Sequence, residues 1–261
     1  MTAEKTTPAF GWWVFGLGIV ALGALSLALG DFVPGQAVPK DFPGRAALIY
    51  PIAAFLILGG AALLWRRTVT WAAAALSAYW LVVVVLMDGR VILRNAGQYL
   101  AYGNMAEQLA ILAGALIVLA TYAELDGRID AVLARRLIRG GQLAFGVCAV
   151  LFGGAHFVYM NLTAPLVPKW LPPSQEFWGY ATGVAHIAGG LAILSGVRAR
   201  LAAILLTVMY ASFTPLVHIP LFLADRHNHG NWAENATNLV LTGAAWVVAD
   251  SLARRKAISA P

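Results

Sequence analysis

FWGYATGVAHIAGGLAILSGVRARLAAILLTVMYASFTPLVHIPLF, residues 177–222, reads as two membrane-spanning helices joined by the tight basic turn VRAR. A transmembrane helix needs about 20 consecutive, mostly apolar residues, and each arm of this stretch has that length without an acid or base at its centre. Each arm also carries one histidine, His186 and His218. Nowhere else in the chain do a membrane signal, a repeat signal and a chemical signal fall so close together.

The same pattern extends outward in both directions. Apolar runs at 11–30, 46–65, 69–87 and 105–124 precede it, 141–160 leads into it, and 234–252 follows. With 177–196 and 200–222 these make eight expected spans. The bulk numbers agree: 60% of the residues are hydrophobic and 11% charged, with a mean hydropathy of +0.74. A water-soluble fold cannot cover that much apolar surface, so lipid is the expected solvent. The net charge of +6 is spread over short loops, not gathered on one face, which argues against a nucleic-acid partner. Cys148 is the single cysteine, so neither an internal disulfide nor a cysteine metal motif exists. The start, MTAEKTTPAFGWW, lacks a signal-peptide cleavage site, so the first run is expected to remain a helix.

Orientation follows from the positive charges. With eight spans, Lys40, Arg45, Arg90, Arg94, Lys169 and Arg226 fall on one side, and the other twelve of the 18 Lys and Arg fall on the side of the termini. Both termini are therefore expected in the cytoplasm. Trp12, Trp13, Trp65 and Trp71 would mark the inner interface and Trp170, Trp178 and Trp232 the outer one. A short chain of this kind is expected in a bacterial inner membrane, so the sequons at Asn161 and Asn235 are not read as glycosylation sites.

The chain repeats itself. VPKDFP at 38–43 answers VPKWLP at 167–172, GGAALL at 59–64 answers GGLAIL at 189–194, and GNMAE at 103–107 answers GNWAE at 230–234. One order and nearly one spacing hold throughout. The expected fold class is all-α: eight transmembrane helices arranged as two parallel-repeat four-helix bundles. The first repeat is 1–125, a basic cytoplasmic linker is 126–140, and the second repeat is 141–261. In GN-x-A-E, Asn104 and Asn231 sit where N-caps belong, with Glu107 and Glu234 three residues later. That spacing is a capping box, so these glutamates are expected to be structural caps.

Within 177–222, GYATGVAHIAGGLAILSGVRARLAAILLTVMYASF resembles the core of the DoxX-like membrane family. The likeness rests on Gly189, Gly190, Leu194 and Gly196, the basic turn with Arg198 and Arg200, and the Ala/Leu-rich helix from Leu201 to Ser212. Residues 52–85 repeat it more faintly, with Gly59, Gly60, Arg66 and Arg67. Family members are four-helix proteins, so a fused pair is implied. The family is named for a subunit associated with thiosulfate and quinone oxidation, which implies a redox-associated role, a quinone and partner redox subunits. One departure matters: the family often has an acid before the glycine pair, and here the residue is His186.

All five histidines lie in the second half. His156, His218, His227 and His229 are expected near the outer side, with His186 deeper as the floor of a shared cavity. Ionisable side chains inside a membrane usually face a cavity or a partner, so His156, His186 and His218 are the expected cofactor-binding set. Neutral imidazole is the commonest metal ligand, which makes His156, His218, His227 and His229 a candidate metal set. Quinone, haem and a transition metal are the cofactor classes left open, beside the bland reading of interfacial polar residues. A mirror site in the first half would carry Asp31 and Asp88 at its mouth. No Walker loop, dinucleotide fingerprint, nucleophile elbow or zinc-protease motif occurs. Two function classes therefore stand: a redox-associated membrane subunit, and a non-enzymatic transporter or scaffold for small apolar or metal ligands.

Overall fold

The computed structural model describes residues 10–258 apart from 34, 35 and 37. Among them there is no strand, and eight helices are long and apolar enough to cross a membrane. They are α1 (Gly11–Leu29), α2 (Arg45–Leu63), α3 (Val69–Arg94), α4 (Tyr99–Leu125), α5 (Ala131–Val158), α6 (Gln175–Ser195), α7 (Ala199–Ala224) and α8 (His229–Ile258). We call the side of the α1–α2, α3–α4, α5–α6 and α7–α8 connections outer, and the opposite side inner. Lys5 lies outside the described residues, as do the side chains of Arg254, Arg255 and Lys256.

Local chemistry sets several of the helix ends. α1 stops at Gly30 and α6 at Gly196, both in the left-handed region that glycine enters without penalty (φ 60° and 81°). α5 begins where the Asp130 carboxylate accepts from the N–H groups of Val132 and Leu133, at 2.7 and 2.8 Å. Ser174 does the same for α6 through Phe177 N–H. At the inner end of α6, Arg139 of α5 donates to the carbonyls of Ile193 and Leu194 at 3.0 and 2.6 Å, answering two acceptors that the helix end leaves unpaired.

Three helices start earlier than hydropathy alone suggests. α4 starts at Tyr99, α5 at Ala131 and α8 at His229. Most of the basic segment 126–140 is therefore the first part of α5, and only a short turn precedes it. The same shift overturns the capping reading. Glu107 lies eight residues into α4 and Glu234 five into α8, well past any N-cap. The residue before α4 is Gln98, whose side chain makes no capping bond. Before α8, Asn228 accepts from Gly230 N–H at 2.9 Å.

α4 and α8 form the centre: 67% of the apolar stretch of α4 and 72% of that of α8 are buried, against 17% for α7. α8 packs on α1, α4 and α7, and α4 packs on α3, α5 and α8; α1–α2 and α5–α6 are the other close pairs. Those two pairs touch backbone to backbone. A Cβ added to Gly60 would lie 2.7 Å from the Gly16 carbonyl oxygen, and one added to Gly190 would lie 2.6 Å from that of Gly146. Polar pairs are few and buried: Trp80 donates to Gln108 across α3–α4, and Gln142 donates to Ser251 across α5–α8, both at 3.0 Å. In a medium that cannot solvate them, such groups must pair within the protein.

Two helices are interrupted in the same way. α3 widens into a π turn over Val83–Asp88 and α7 over Thr214–His218. In α7 the interruption holds Pro215, which has no N–H to give the α-helical ladder.

Candidate functional site

α5, α6 and α7 bring His156, His186 and Tyr210 together in the outer half of the molecule. The His156 and His186 ring centroids are 5.1 Å apart, and His186 and Tyr210 are 5.3 Å apart. Phe152 and Phe213 complete the surround of His186 at 6.2 and 6.3 Å. His186 is only 3% exposed.

Glycines make this possible. A Cβ on Gly183 would sit 2.8 Å from Cβ of His156, and one on Gly153 would sit 3.0 Å from Cβ of His186. Each histidine lies three residues after its own glycine, in GGAH (153–156) and GVAH (183–186). Three residues is close to one helical turn, so glycine and histidine share a face of each helix.

Hydrogen bonds fix both rings. Nδ1 of His186 lies 2.8 Å from the Thr182 carbonyl, one turn back on α6. A carbonyl can only accept, so Nδ1 carries the proton and Nε2 holds the lone pair of the neutral ring. Nδ1 of His156 lies 3.0 Å from the Gly179 carbonyl and 3.1 Å from Thr182 Oγ1. The Thr182 hydroxyl already donates to the Trp178 carbonyl at 2.7 Å, so toward His156 it accepts. His156 Nε2 is thus the lone-pair nitrogen as well. The Tyr210 hydroxyl is buried without a hydrogen-bond partner, while the Tyr210 carbonyl accepts from Asn238 of α8 at 2.9 Å.

Of the expected cofactor set, the structure joins His156 and His186 but not His218. His218 ends the π turn, eight residues beyond Tyr210, about 12 Å along an α-helix. Its Nδ1 is buried without a partner, and its carbonyl accepts from Asn235 at 3.0 Å. Nor does His186 lie as a floor beneath His156. It is eleven residues into α6, while His156 is two from the end of α5, and the rings still meet because α6 starts farther out than α5 stops.

The expected metal set is not gathered. Among the described residues, no three His, Cys, Asp or Glu lie close enough to hold a metal ion. His227 and His229 are exposed at the α7–α8 connection, with His227 N–H on the Asp225 carboxylate at 3.1 Å. A haem does not fit either. One proximal imidazole can hold a haem, but the macrocycle needs far more room than the ring-to-ring gaps of 5.1–6.3 Å that His156, Phe152, Tyr210 and Phe213 leave around His186.

The first-half mirror differs as well. Asp31 lies past the end of α1 and pairs with Arg45 at 2.6 Å. Partial burial works to raise its carboxyl, but hydrogen bonds from Arg45 and Phe32 N–H and the charges of Arg45 and Lys40 outweigh that and hold it below the ordinary carboxylate value. Asp88 is 2% exposed at the end of the α3 π turn, and one of its oxygens is buried without a partner. Its electrostatic neighbour is Glu107 of α4, which also feels Glu234 of α8.

A family described as a domain of unknown function (DUF8561) matches residues 145–249. That segment runs from Phe145 to Ala249 and contains His156, His186, Tyr210, His218 and Glu234. No curated protein matches the chain, and no solved structure matches it.

Proposed function

We propose that this is a DoxX-like membrane protein, a tandem pair of four-helix units, whose second unit binds a quinone as part of a redox-associated assembly. The tandem reading is supported by contacts recurring at a spacing of 130 residues. Gly16 on Gly60 answers Gly146 on Gly190, Gly59 on Leu76 answers Gly189 on Leu206, and the π turns fall at matching places. The halves interlock, with α1 lying against α8 and α4 against α5. The excess of Lys and Arg on the inner side supports cytoplasmic termini in a bacterial inner membrane.

One observation carries the quinone reading: Tyr210, whose hydroxyl has no hydrogen-bond partner, packs its ring beside the buried ring of His186. A buried hydroxyl left unpaired costs about 1–3 kcal/mol, which a ligand carbonyl would recover. Tyr210 O–H is the donor suited to an oxidised quinone carbonyl. His186 Nε2 is the acceptor suited to the O–H of the reduced form, and a quinone ring would enter by displacing one of the aromatic side chains that pack on His186. Electrons would come from a partner subunit.

The test is binding of a short-chain quinone to the purified protein in nanodiscs, followed by quenching of tryptophan fluorescence. Tyr210→Phe and His186→Gln should each weaken binding by about tenfold, the loss expected for one hydrogen bond of roughly 1.4 kcal/mol. Absence of saturable binding, or binding by both variants as tight as that of wild type, would discard the reading.

A second reading, transport without catalysis, is favoured by Asp88, Glu107 and Glu234. Glu107 of α4 interacts electrostatically with Asp88 of α3 and with Glu234 of α8, and ionisable groups inside a membrane commonly mark ion or proton routes. Proton movement in proteoliposomes that depends on Glu107 and not on His186 would favour it over the quinone reading.

A further inference from the structure

A groove of about 260 Å³ runs between α6 and α7 on their exposed face, toward the inner side. Ala185, Ala188 and Gly189 of α6 form one wall, and Leu205 and Met209 of α7 help form the other. Arg198 is its only charged lining residue. The groove spans from Arg198 to Met209, about 16 Å along the chain axis at helical rise. It stops one residue short of Tyr210 and His186, so it is separate from the cluster described above.

Its mouth is cationic. Arg198 and Arg200 are exposed, and among the described residues neither has a carboxylate partner. Arg198 also immediately precedes α7, whose first turn receives no side-chain cap. Unpaired N–H groups at a helix start add positive potential at the same place. An apolar channel open to the bilayer, ending in a guanidinium at interface depth, matches one kind of occupant in both parts. Its chain would lie along Ala185, Ala188 and Leu205, and its phosphate would meet Arg198.

The other half of the chain differs at these positions. At a spacing of 130 residues, Phe55, Leu58 and Thr68 stand where the groove has Ala185, Ala188 and Arg198. Phe55 and Leu58 are larger than the alanines, and the basic residues of that turn are Arg66, which Asp126 holds at 2.7 Å, and Arg67.

We infer that the α6–α7 groove is a binding site for an anionic glycerophospholipid of the inner-side leaflet, one acyl chain in the groove and the headgroup phosphate on Arg198. The juxtaposition of apolar walls with an unpaired arginine selects an anionic lipid over a zwitterionic one.

The experiment uses the full chain in mixed phosphatidylglycerol and phosphatidylcholine nanodiscs, released for native mass spectrometry, with thermal melting in each pure lipid alongside. Wild type should retain phosphatidylglycerol over phosphatidylcholine and melt higher in it. Arg198→Gln should lower that preference about fivefold, the effect of removing one basic residue at a membrane surface. Ala185→Phe with Ala188→Leu should abolish retention of either lipid. The two replacements in α6 copy residues that α2 already carries. Arg198 is exposed, so its variant decides the matter even if the double variant melts early. Equal retention of both lipids by wild type, or retention unchanged in Arg198→Gln, overturns the inference. So does a dimer that the double variant converts to monomer, which would make the groove an interface between copies. Retention of a neutral isoprenoid in place of phospholipid overturns it too, without touching the quinone reading at Tyr210.

Discussion

Gly183 stands against His156, with a Cβ built on the glycine only 2.8 Å from that of the histidine. Gly153 stands against His186 in the same way at 3.0 Å. The two histidines thus occupy room conceded by the neighbouring helix, and their 5.1 Å separation is set by backbones that cannot move apart independently. Gly183→Ala should therefore destabilise the protein by about 1–3 kcal/mol, as overpacking does. Thermal unfolding in detergent measures it. A neutral result would mean that α5 and α6 yield more easily than this packing implies.

Two other glycines separate close packing from mere helix propensity. Gly190 meets the Gly146 backbone, whereas nothing lies within 4 Å of a Cβ built on Gly140. Gly190→Ala is expected to lose about 1–3 kcal/mol by forcing α5 from α6. Gly140→Ala, in an exposed part of α5, is expected to gain up to about 1 kcal/mol. Paired melting curves of the two variants give the contrast, and shifts of the same sign would contradict it.

Tyr210→Phe should move stability and binding in opposite directions. Deleting a buried hydroxyl that has no partner removes a cost of about 1–3 kcal/mol, so the ligand-free protein should melt at the same temperature or higher. Quinone affinity should fall in the same variant. A drop in both would show that the hydroxyl serves the fold.

Arg139 should matter more than a surface arginine. It answers the Ile193 and Leu194 carbonyls at the end of α6, so Arg139→Met leaves both without that donor. A loss of about 1.5–3 kcal/mol is expected, the range for hydrogen bonds to charged groups. Equal stability of Arg139→Met and wild type would assign those carbonyls to solvent.

Asp126 gives the acid dependence a sign. Hydrogen bonds from Thr70 and Arg66 hold its carboxyl below the ordinary value of 3.8. Near that value the folded protein binds fewer protons than the unfolded one, so folding weakens as pH falls. The contribution is complete above the ordinary value and disappears as pH drops through the lowered one. Melting midpoints of Asp126→Asn and wild type should differ at pH 6 and draw together as the pH falls below 3.8. A gap that does not narrow below that value would point to packing instead.

The spans were legible because lipid-facing helices are apolar all round, and the ends of α1 and α6 were legible because Gly30 and Gly196 punctuate them. The starts of α4, α5 and α8 were not. Asn104, Arg135 and Asn231 are helical residues beyond the most apolar core of a span, and hydropathy registers only that core. Glu107 and Glu234 were misread for the same reason. His186 stood out as an ionisable group in an apolar run. Its pairing with His156 was written in GGAH and GVAH, where a small residue one turn back signals a close neighbour. Tyr210 carried no such mark, since a tyrosine within a span looks like any other aromatic.

The π turns at Val83–Asp88 and Thr214–His218 have a consequence for length. Such a turn holds a residue that regular winding has no place for. Deleting one residue inside an ordinary span rotates everything beyond it by about 100° and turns buried groups toward lipid. In α3 or α7 the deletion can instead be absorbed by winding the wide turn into a regular one, with Gly89–Arg94 or Ile219–Ala224 regaining its register on the helix before it. These two places are where the chain can lose a residue and still cross the membrane the same number of times.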